Sequence, residues 1–124
     1  MAHGVILFAH GARAASWALP FEKLRERVAA MHPGAHVRLA FLELMQPDLG
    51  SVVDDLTNEA VERIDLFPIF LAVGSHLRED LPQLVSAAQA RHPGLHITVH
   101  PALGESEAML AAIAGGIGQA LAAS

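Results

Sequence analysis

Short, continuous apolar runs recur four times along the chain, and a segment predicted to be helical follows each of them. The runs are GVILFA (4–9), AHVRLAFLE (35–43), RIDLFPIFL (63–71) and LHITVH (95–100). Such runs are typical of strands that are buried on both faces of a parallel sheet. They predict four strands. Pro68 cannot donate a ladder hydrogen bond, so we expect it where pairing of the third strand ends.

Apolar residues at intervals of three or four predict helices between these runs. The predicted helices cover 16–31, 46–61 and 78–90, and a last one runs from about Glu105 to the end of the chain. Ser16 is the expected N-cap of the first helix, and the second is expected to start near Pro47 and Asp48. Pro82 is expected near the first turn of the third helix, where proline is tolerated.

The regular alternation of strand and helix predicts an α/β fold with parallel strands and right-handed crossovers. The simplest layout is a flavodoxin-like, four-stranded parallel sheet of order 2-1-3-4 with helices on both faces, and residues 1–124 are expected to form one such domain. The segment ARHPGLHITV (90–99) repeats AMHPGAHVRL (30–39) at a spacing of sixty residues. This echo is explained either by duplication of a βαβα half or by the general similarity of helix-to-strand junctions.

Composition narrows the possible classes of function. The 124 residues include 52% hydrophobic and 17% charged residues, so a substantial core is expected. Cysteine is absent, which excludes disulfides and thiolate metal sites. The net charge of −5 offers no basic surface for nucleic acid. No apolar stretch reaches the roughly 18 residues of a membrane span, and the N-terminus lacks the features of a signal peptide. We therefore expect a cytoplasmic protein that binds neither nucleic acid nor membrane.

Histidine is unusually frequent, with eight residues in the chain, and its imidazole is both a common metal ligand and a proton carrier near neutral pH. Ligands of doubly wound sheets bind beyond the carboxyl ends of the strands. The four strands end at or run into His10, Glu43, His76 and His100. We therefore expect these side chains to converge on one edge of the sheet, with Gly11 permitting close approach of a ligand to the backbone.

Each of these residues also has a simpler interpretation. A histidine at a strand end can cap a loop, Glu43 can pair with a nearby cation, and Pro101 after His100 is consistent with a plain strand exit. Arg13 and Arg78 either bind carboxylates or phosphates of a ligand or form surface salt bridges. Candidate partners for such bridges are Glu22, Glu79 and Asp80. The remaining histidines, at positions 3, 32, 36, 92 and 96, are interpreted as terminal, surface or junction residues.

Three segments carry a resemblance to a known family, namely LFAHGARAASWALPFEKL, AFLELMQPDL and FPIFLAVGSHLREDLP. In this order and spacing they closely resemble the small, single-domain sirohydrochlorin chelatases of the class II cobalt, nickel and iron chelatases. The resemblance runs from about residue 4 to residue 103. It implies a metal chelatase that inserts Co²⁺, Fe²⁺ or Ni²⁺ into sirohydrochlorin, in cobalamin or sirohaem biosynthesis. The metal is then a substrate, no cofactor is bound permanently, and the chain is expected to form a homodimer.

The resemblance also implies roles for individual residues. His10 and His76 match the histidines that bind the incoming metal and assist deprotonation of the pyrroles, and Glu43 matches an acidic position assigned to catalysis in the same cleft. Apart from the resemblance, the residues that we expect to bind substrate are Arg13, Arg78, Gly11, Ser75 and His100. The loop RAAS and the tripeptide GSH depart from the acidic residue and the GGH that the family often has. The choice among cobalt, iron and nickel therefore stays open.

Two alternatives come from other classes of protein. Histidine phosphatases also place His-Gly after a first strand, but they need arginine directly before that histidine, where this chain has Ala9. A non-catalytic metal carrier or tetrapyrrole-binding module, which would use the same histidines, stays open. The last helix, AAIAGGIGQALAA, either packs on the sheet or contributes to a dimer face, and its composition favours the first.

Overall fold

Strands and helices alternate four times in the computed structural model, which describes residues 2–124. The strands are β1 (Ala2–Ala9), β2 (Ala35–Phe41), β3 (Val61–Pro68) and β4 (His96–Val99). The helices are α1 (Leu19–Met31), α2 (Leu49–Asn58), α3 (Ser75–Arg91) and α4 (Glu107–Ala123). All strands are parallel, in the order β2-β1-β3-β4. The predicted fold class and strand order are confirmed.

The two faces of the sheet are covered unequally. One face packs against α2 and α3 and holds the larger core, which includes the fully buried Ile6, Phe8 and Leu66. The other face packs against α1 around a smaller cluster centred on Val5 and Leu7. Successive residues of a strand point to opposite faces, so β1 supplies both cores from alternate positions. Helices on both faces, as predicted, therefore fix β1 at the centre of the molecule.

The first helix begins differently from the prediction, whereas the second begins near Pro47 and Asp48, as predicted. Ser16 lies inside a short 3-10 helix, Ala15–Ala18, and caps no helix with its side chain, so the predicted N-cap was wrong. The backbone itself starts this turn, through a hydrogen bond that Trp17 N–H donates to the Ala14 carbonyl. Helix α2 is shorter than predicted at both ends. Its cap is Asp48, whose carboxylate accepts a hydrogen bond from Ser51 N–H at 2.9 Å. Capping of this kind is worth about 1 kcal/mol.

The predicted second, third and fourth strands were too long at their carboxyl ends, whereas β1 ends at Ala9 as predicted. Strand β3 ends at Pro68, as the lack of an N–H there predicted, and residues 69–71 lie beyond it although they are apolar. Strand β2 likewise ends at Phe41 and leaves Glu43 in the following turn. In both cases the apolar run continues past the strand because the next residues pack against the end of the sheet.

Helix α3 begins at Ser75, three residues earlier than predicted, after an extended Gly74. Ser75 and His76 therefore lie in its first turn and not in the preceding loop. Pro82 falls in the helix interior instead of near the first turn, so that prediction was wrong. Proline there removes one backbone hydrogen bond and commonly bends a helix.

Helix α4 departs most from expectation. All of its residues are exposed, and among the elements of the chain it chiefly contacts the 3-10 turn Leu103–Glu105. The buried position on the sheet that its composition favoured is therefore wrong. A groove of about 500 Å³ separates the first half of α4 from the α1 face of the sheet. Within residues 2–124, no helix combines the length and apolar character needed to cross a membrane.

A third, small cluster lies beside the carboxyl ends of β1 and β2. Ala9, Ala18 and Phe41 are buried there, and Trp17 packs against them. The Trp17 ring also lies 4.5 Å from the ring of Phe21, measured between centroids. This cluster ties the turn after β1 to the turn after β2.

Candidate functional site

The turns after β1 and β2 bring His10 and Glu43 together. The Nε2 atom of His10 lies 3.7 Å from Oε1 of Glu43, and both side chains are about half exposed. Backbone pairing continues past the strands, because Leu42 N–H donates to the Ala9 carbonyl and Glu43 N–H donates to the His10 carbonyl, at 2.9 and 3.1 Å. The pair is thus positioned by main-chain hydrogen bonds at the carboxyl edge of the sheet.

Gly11 makes this arrangement possible. Its φ of +95° lies in the left-handed region that favours glycine. A Cβ at this position would overlap the carbonyl oxygen of Glu43. The structure therefore explains Gly11 through the close approach of two turns, without the ligand that the sequence suggested.

The hydrogen bonding of His10 favours one tautomer of its ring. Its Nδ1 lies 3.3 Å from the Gly11 carbonyl oxygen, which can only accept a hydrogen bond. This carbonyl favours the tautomer of the neutral imidazole that carries its proton on Nδ1, which leaves the lone pair of Nε2 on the side of Glu43. An imidazole in this state can bind a metal ion or accept a proton at Nε2.

Phe70 is a site residue that sequence reasoning missed. Its ring meets the imidazole of His10 edge to face, with centroids 6.1 Å apart and planes at 89°. It also packs on the buried Phe8, at 6.0 Å and 72°. The predicted third strand (63–71) included Phe70, although Pro68 two residues earlier already marked the end of pairing. Phe70 therefore connects the core to the exposed imidazole and limits its rotation.

His76 stands apart from this pair. It is exposed in the first turn of α3, next to Ser75. Across residues 2–124, no three histidine or acidic side chains are close enough to hold one metal ion. The structure thus brings together His10 and Glu43 but does not join His76 to them as a preformed ligand set.

The turn that leads to His76 is held by the segment after β4. A Cβ on Gly104 would overlap the carbonyl oxygen of Leu71, so these two turns are also in close backbone contact. Arg78 donates a hydrogen bond to Glu105 at 3.1 Å. This is a surface salt bridge, although its partner is neither of the neighbouring acids that the sequence suggested.

Arg13 is exposed and lines a groove of about 610 Å³ between α1 and the edge strand β2. Arg25 and Glu22 line the same groove. In the described part of the chain, Arg13 forms no salt bridge with Glu22. Its guanidinium is therefore more accessible to a ligand than that of Arg78.

His100 has structural partners on the α1 face of the sheet. Its Nε2 lies 2.8 Å from Oδ1 of Asp65, and its ring stacks on Phe67 with centroids 4.2 Å apart. His3 occupies the other carboxylate oxygen of Asp65, at 2.5 Å. The hydrogen bond from His100, assisted by the one from His3, lowers the pKa of Asp65 despite its partial burial. These contacts account for His100 without a substrate, and Asp65 is a second residue that the sequence did not single out.

The other histidines behave as surface and junction residues. His36 pairs with Glu59 and His92 with Asp54, each at 2.7 Å. His96 is exposed at the start of β4, at the end of the sheet opposite to His10. It is therefore a suitable control position for experiments on His10.

Comparison with known proteins adds to this geometry. The sequence model of the CbiX family matches residues 4–120. A sirohydrochlorin cobaltochelatase of Methanosarcina barkeri is 30% identical over 88 residues, which cover 67% of this chain and 64% of the relative. The chain thus matches less than two thirds of the length of the first curated relatives.

Solved structures show the same fold. A cobalamin (vitamin B12) biosynthesis CbiX protein from Marinobacter aquaeolei VT8 superposes with a TM-score of 0.83 at 34% identity. The match covers 98% of this chain and 99% of that one. The sirohydrochlorin chelatase SirB from Bacillus subtilis subspecies spizizenii, in complex with cobalt, superposes with a TM-score of 0.77 at 21% identity. This chain spans 46% of SirB, and the likeness is one of fold.

Proposed function

Because the chain belongs to the CbiX family, we propose that it is a sirohydrochlorin chelatase that inserts a divalent metal ion into the tetrapyrrole. The observation that carries the proposal is the contact of His10 with Glu43 at the carboxyl edge of the sheet. Cobalt and iron are the favoured metals, because the relatives are named cobaltochelatases and a ferrochelatase. Nickel is the further candidate, since imidazole binds all three ions.

Metal insertion requires that water leaves the ion and that protons leave the pyrrole nitrogens. Nε2 of His10 is suited to both tasks because its lone pair is free and its side chain reaches solvent. After Nε2 accepts a pyrrole proton, the imidazolium lies 3.7 Å from the Glu43 carboxylate, which stabilises the new charge. Glu43 thus acts on the proton, while His10 acts on both the proton and the ion.

A chelatase must release the metal that it binds. A structural metal site commonly uses four protein ligands, whereas a site with open positions exchanges its ion and binds substrate. In residues 2–124, the structure provides no preformed set of three ligands. His76, exposed in the first turn of α3, is proposed to approach the ion as a second histidine when substrate is bound. This arrangement favours transfer of metal over storage by a carrier.

The polyanionic tetrapyrrole needs positive charge from a chain whose net charge is −5. Arg13 is the stronger candidate for its carboxylates because it is exposed and accessible. Arg78 shares its charge with Glu105, so we expect a smaller contribution from it. The first turn of α3, with Ser75 at its start, adds free backbone N–H groups that favour anions.

One domain of this size offers a single wall to a flat macrocycle. We therefore propose that the chain works as a homodimer, in which a second copy supplies the opposite wall. The small exposed pair of His10 and Glu43, open to solvent on one side, is consistent with a cleft that is completed from outside.

The proposal is tested by an anaerobic absorbance assay with sirohydrochlorin and Co²⁺ or Fe²⁺. We expect multiple turnovers by the wild type. His10→Ala should lower kcat/KM by about a hundredfold or more, because it removes a proton acceptor and a metal ligand. Glu43→Gln should lower it about tenfold. His76→Ala should mainly raise KM for the metal, and the control His96→Ala should be unaffected.

Two results would contradict the proposal. If the wild type is no faster than the uncatalysed reaction but binds metal or tetrapyrrole stoichiometrically, the chain is a carrier or a binding module. If His10→Ala and His96→Ala have the same rate, insertion does not use the edge of the sheet described above.

A further inference from the structure

Helix α4 is an apolar helix whose residues are all exposed among the described residues 2–124. Between Glu107 and Ala123 the only charged residue is Glu107. Large apolar side chains are exposed along its length, including Ile113 at 41%, Ile117 at 58% and Leu121 at 70%. A helix that is apolar all round is normally buried. Another surface must therefore cover α4 in the working protein.

The groove beside α4 has matching chemistry. It is lined mostly by apolar side chains of the sheet and α1, among them Val5, Leu7, Val28 and Phe67. The first half of α4 forms one wall, through Met109, Ala112 and Ile113. The second half, which carries Ile117 and Leu121, lies outside the lining of this groove. The chain thus has an unfilled apolar groove and an uncovered apolar helix end.

We propose that the second half of α4 from another copy of the chain fills this groove. In a two-fold arrangement, Ile117 and Leu121 of each copy enter the groove of the other, and the two α4 helices cross antiparallel. The inference deepens the homodimer of the proposed function by assigning the surface through which the copies associate. An interface of this type is isologous, so each contact occurs twice.

The glycines of α4 fit such a crossing. Antiparallel helices related by a two-fold axis cross near their midpoints, and the midpoint of Glu107–Ala123 is Gly115. Gly115, Gly116 and Gly118 have no atom within 4 Å of a built Cβ, so they face open space. Glycine in a helix costs about 1 kcal/mol relative to alanine. Close helix packing is one compensation for that cost.

The area of the two contacts is sufficient for a stable dimer. A helix of 17 residues is about 25 Å long and about 10 Å wide, so one half of its lateral surface is roughly 400 Å². Each copy would bury this area on α4 and a similar area in its groove, or roughly 800 Å² per copy, which equals a standard protein interface.

The lack of positive charge on α4 argues against partners other than a second copy of the chain. Interfacial membrane helices and nucleic-acid surfaces rely on Lys and Arg, and α4 has neither. A second copy needs no such charge, because both surfaces are apolar and self-complementary. Binding to a neutral membrane surface is kept as an outcome of the test.

The test is sedimentation equilibrium of the full chain at micromolar concentrations. The wild type should be a dimer. Ile117→Glu should weaken self-association roughly a hundredfold or more, because the burial of each copy's carboxylate is uncompensated. Met31→Glu is the matched control, since Met31 is 74% exposed at the end of α1, and should remain dimeric.

A second variant separates loss of association from misfolding. Gly116→Leu should raise the intrinsic helix stability of α4 but obstruct the proposed crossing. We therefore expect a folded monomer, with unchanged circular dichroism or a slightly larger helical signal. A dimer as tight as that of the wild type would overturn the crossing.

The remaining outcomes are distinct. A wild type that stays monomeric at tens of micromolar, or that binds neutral phosphatidylcholine vesicles instead of itself, overturns the inference. A dimer that survives Ile117→Glu also overturns it, while leaving the homodimer of the proposed function in place through another surface. Metal insertion in the absorbance assay reports on the chelatase proposal independently of these results.

Discussion

The two halves of the chain, from β1 to α2 and from β3 to α4, have similar backbone geometry but different side chains at matching positions. At a spacing of sixty residues, the 3-10 turn at Ala15 corresponds to the start of α3 at Ser75. The helices before β2 and β4 end alike, at His32 with φ −132° and ψ 71° and at His92 with φ −134° and ψ 79°. The sequence echo therefore extends to the backbone of both halves.

Side chains at matching positions have diverged. His10 of the first half corresponds to Phe70 of the second, and the two rings touch at the site. Val5 corresponds to Asp65, and these residues are neighbours in the sheet register. The first half supplies the pair of His10 and Glu43, and the second supplies the ring that supports the imidazole. The comparison shows that two halves can share backbone geometry while different side chains stand at matching positions.

The largest difference is between the second helices. Helix α2 buries Leu49, Val52, Val53 and Leu56, whereas α4 buries none of its residues. Leu56→Ala should therefore lower the free energy of unfolding by roughly 2–5 kcal/mol. Leu121→Ala should change it by less than about 0.5 kcal/mol in dilute monomer. Urea unfolding of both variants measures the contrast, and similar losses would show that α4 is as buried in the monomer as α2.

The turns at the strand ends give a second contrast. In the first half the glycine lies on the first turn, as Gly11 against Glu43, and in the second half it lies on the second turn, as Gly104 against Leu71. Gly11→Ala should lower the free energy of unfolding by roughly 1–3 kcal/mol. The alanine would be held at a positive φ, and its Cβ would also overlap the Glu43 carbonyl oxygen. It should also lower the chelatase rate by displacing Glu43.

Gly104→Ala should lower the free energy of unfolding less than Gly11→Ala. Its Cβ would overlap the Leu71 carbonyl oxygen, but position 104 does not have a positive φ. Gly34→Ala is the control, because a Cβ there meets no atom within 4 Å. Thermal unfolding and the metallation assay together rank the three variants. Equal stability of the Gly11 and Gly34 variants would contradict the close contact of the first pair of turns.

The smallest and most specific contrast between the two halves is at Asp65, because the corresponding residue of the first half, Val5, is a core residue. The hydrogen bond from His100, followed by that from His3, holds the pKa of Asp65 below the usual 3.8 in the folded state. Its contribution to stability is therefore complete above the unfolded pKa and is lost as the pH falls through the lower, folded value. Asp65→Asn should cost roughly 1–2 kcal/mol at neutral pH.

Stability measured over a range of pH shows whether the loss in Asp65→Asn results from removing the charged carboxylate. The difference between wild type and Asp65→Asn should shrink as the pH falls below about 4, because the wild type then loses its charge. Urea midpoints measured from pH 7 to strongly acidic pH test this, with Asp80→Asn at an exposed position as control. A difference that is constant with pH would assign the effect to packing.

The sequence predicts the sheet well because continuous apolar runs and helical spacing are independent signals that agree. It predicts strand ends less well. Ile69 and Phe70 are apolar because they pack on the sheet after β3 has ended, so hydrophobicity alone cannot separate them from the strand. Pro68 was the local signal that resolved this boundary. Helix α4 could not be placed, because apolar composition requires burial without saying whether the cover comes from the same chain.

The candidate site was predictable where it depends on strand ends. His10 and Glu43 meet because β1 and β2 are parallel neighbours, which the order of elements implies. His76 was not resolved, since its position depends on where α3 begins. Asp65 was missed because a single acid in an apolar run has no meaning until the register places His3 and His100 around it.

The cluster around Trp17 has an optical consequence. Trp17 is the single tryptophan, and the chain has no tyrosine. Its indole packs against the residues that join the turns carrying His10 and Glu43. Tryptophan fluorescence of the unlabelled protein is therefore emitted from one place, beside the proposed site. A titration with a coloured ligand can follow quenching at that place directly, without an engineered dye.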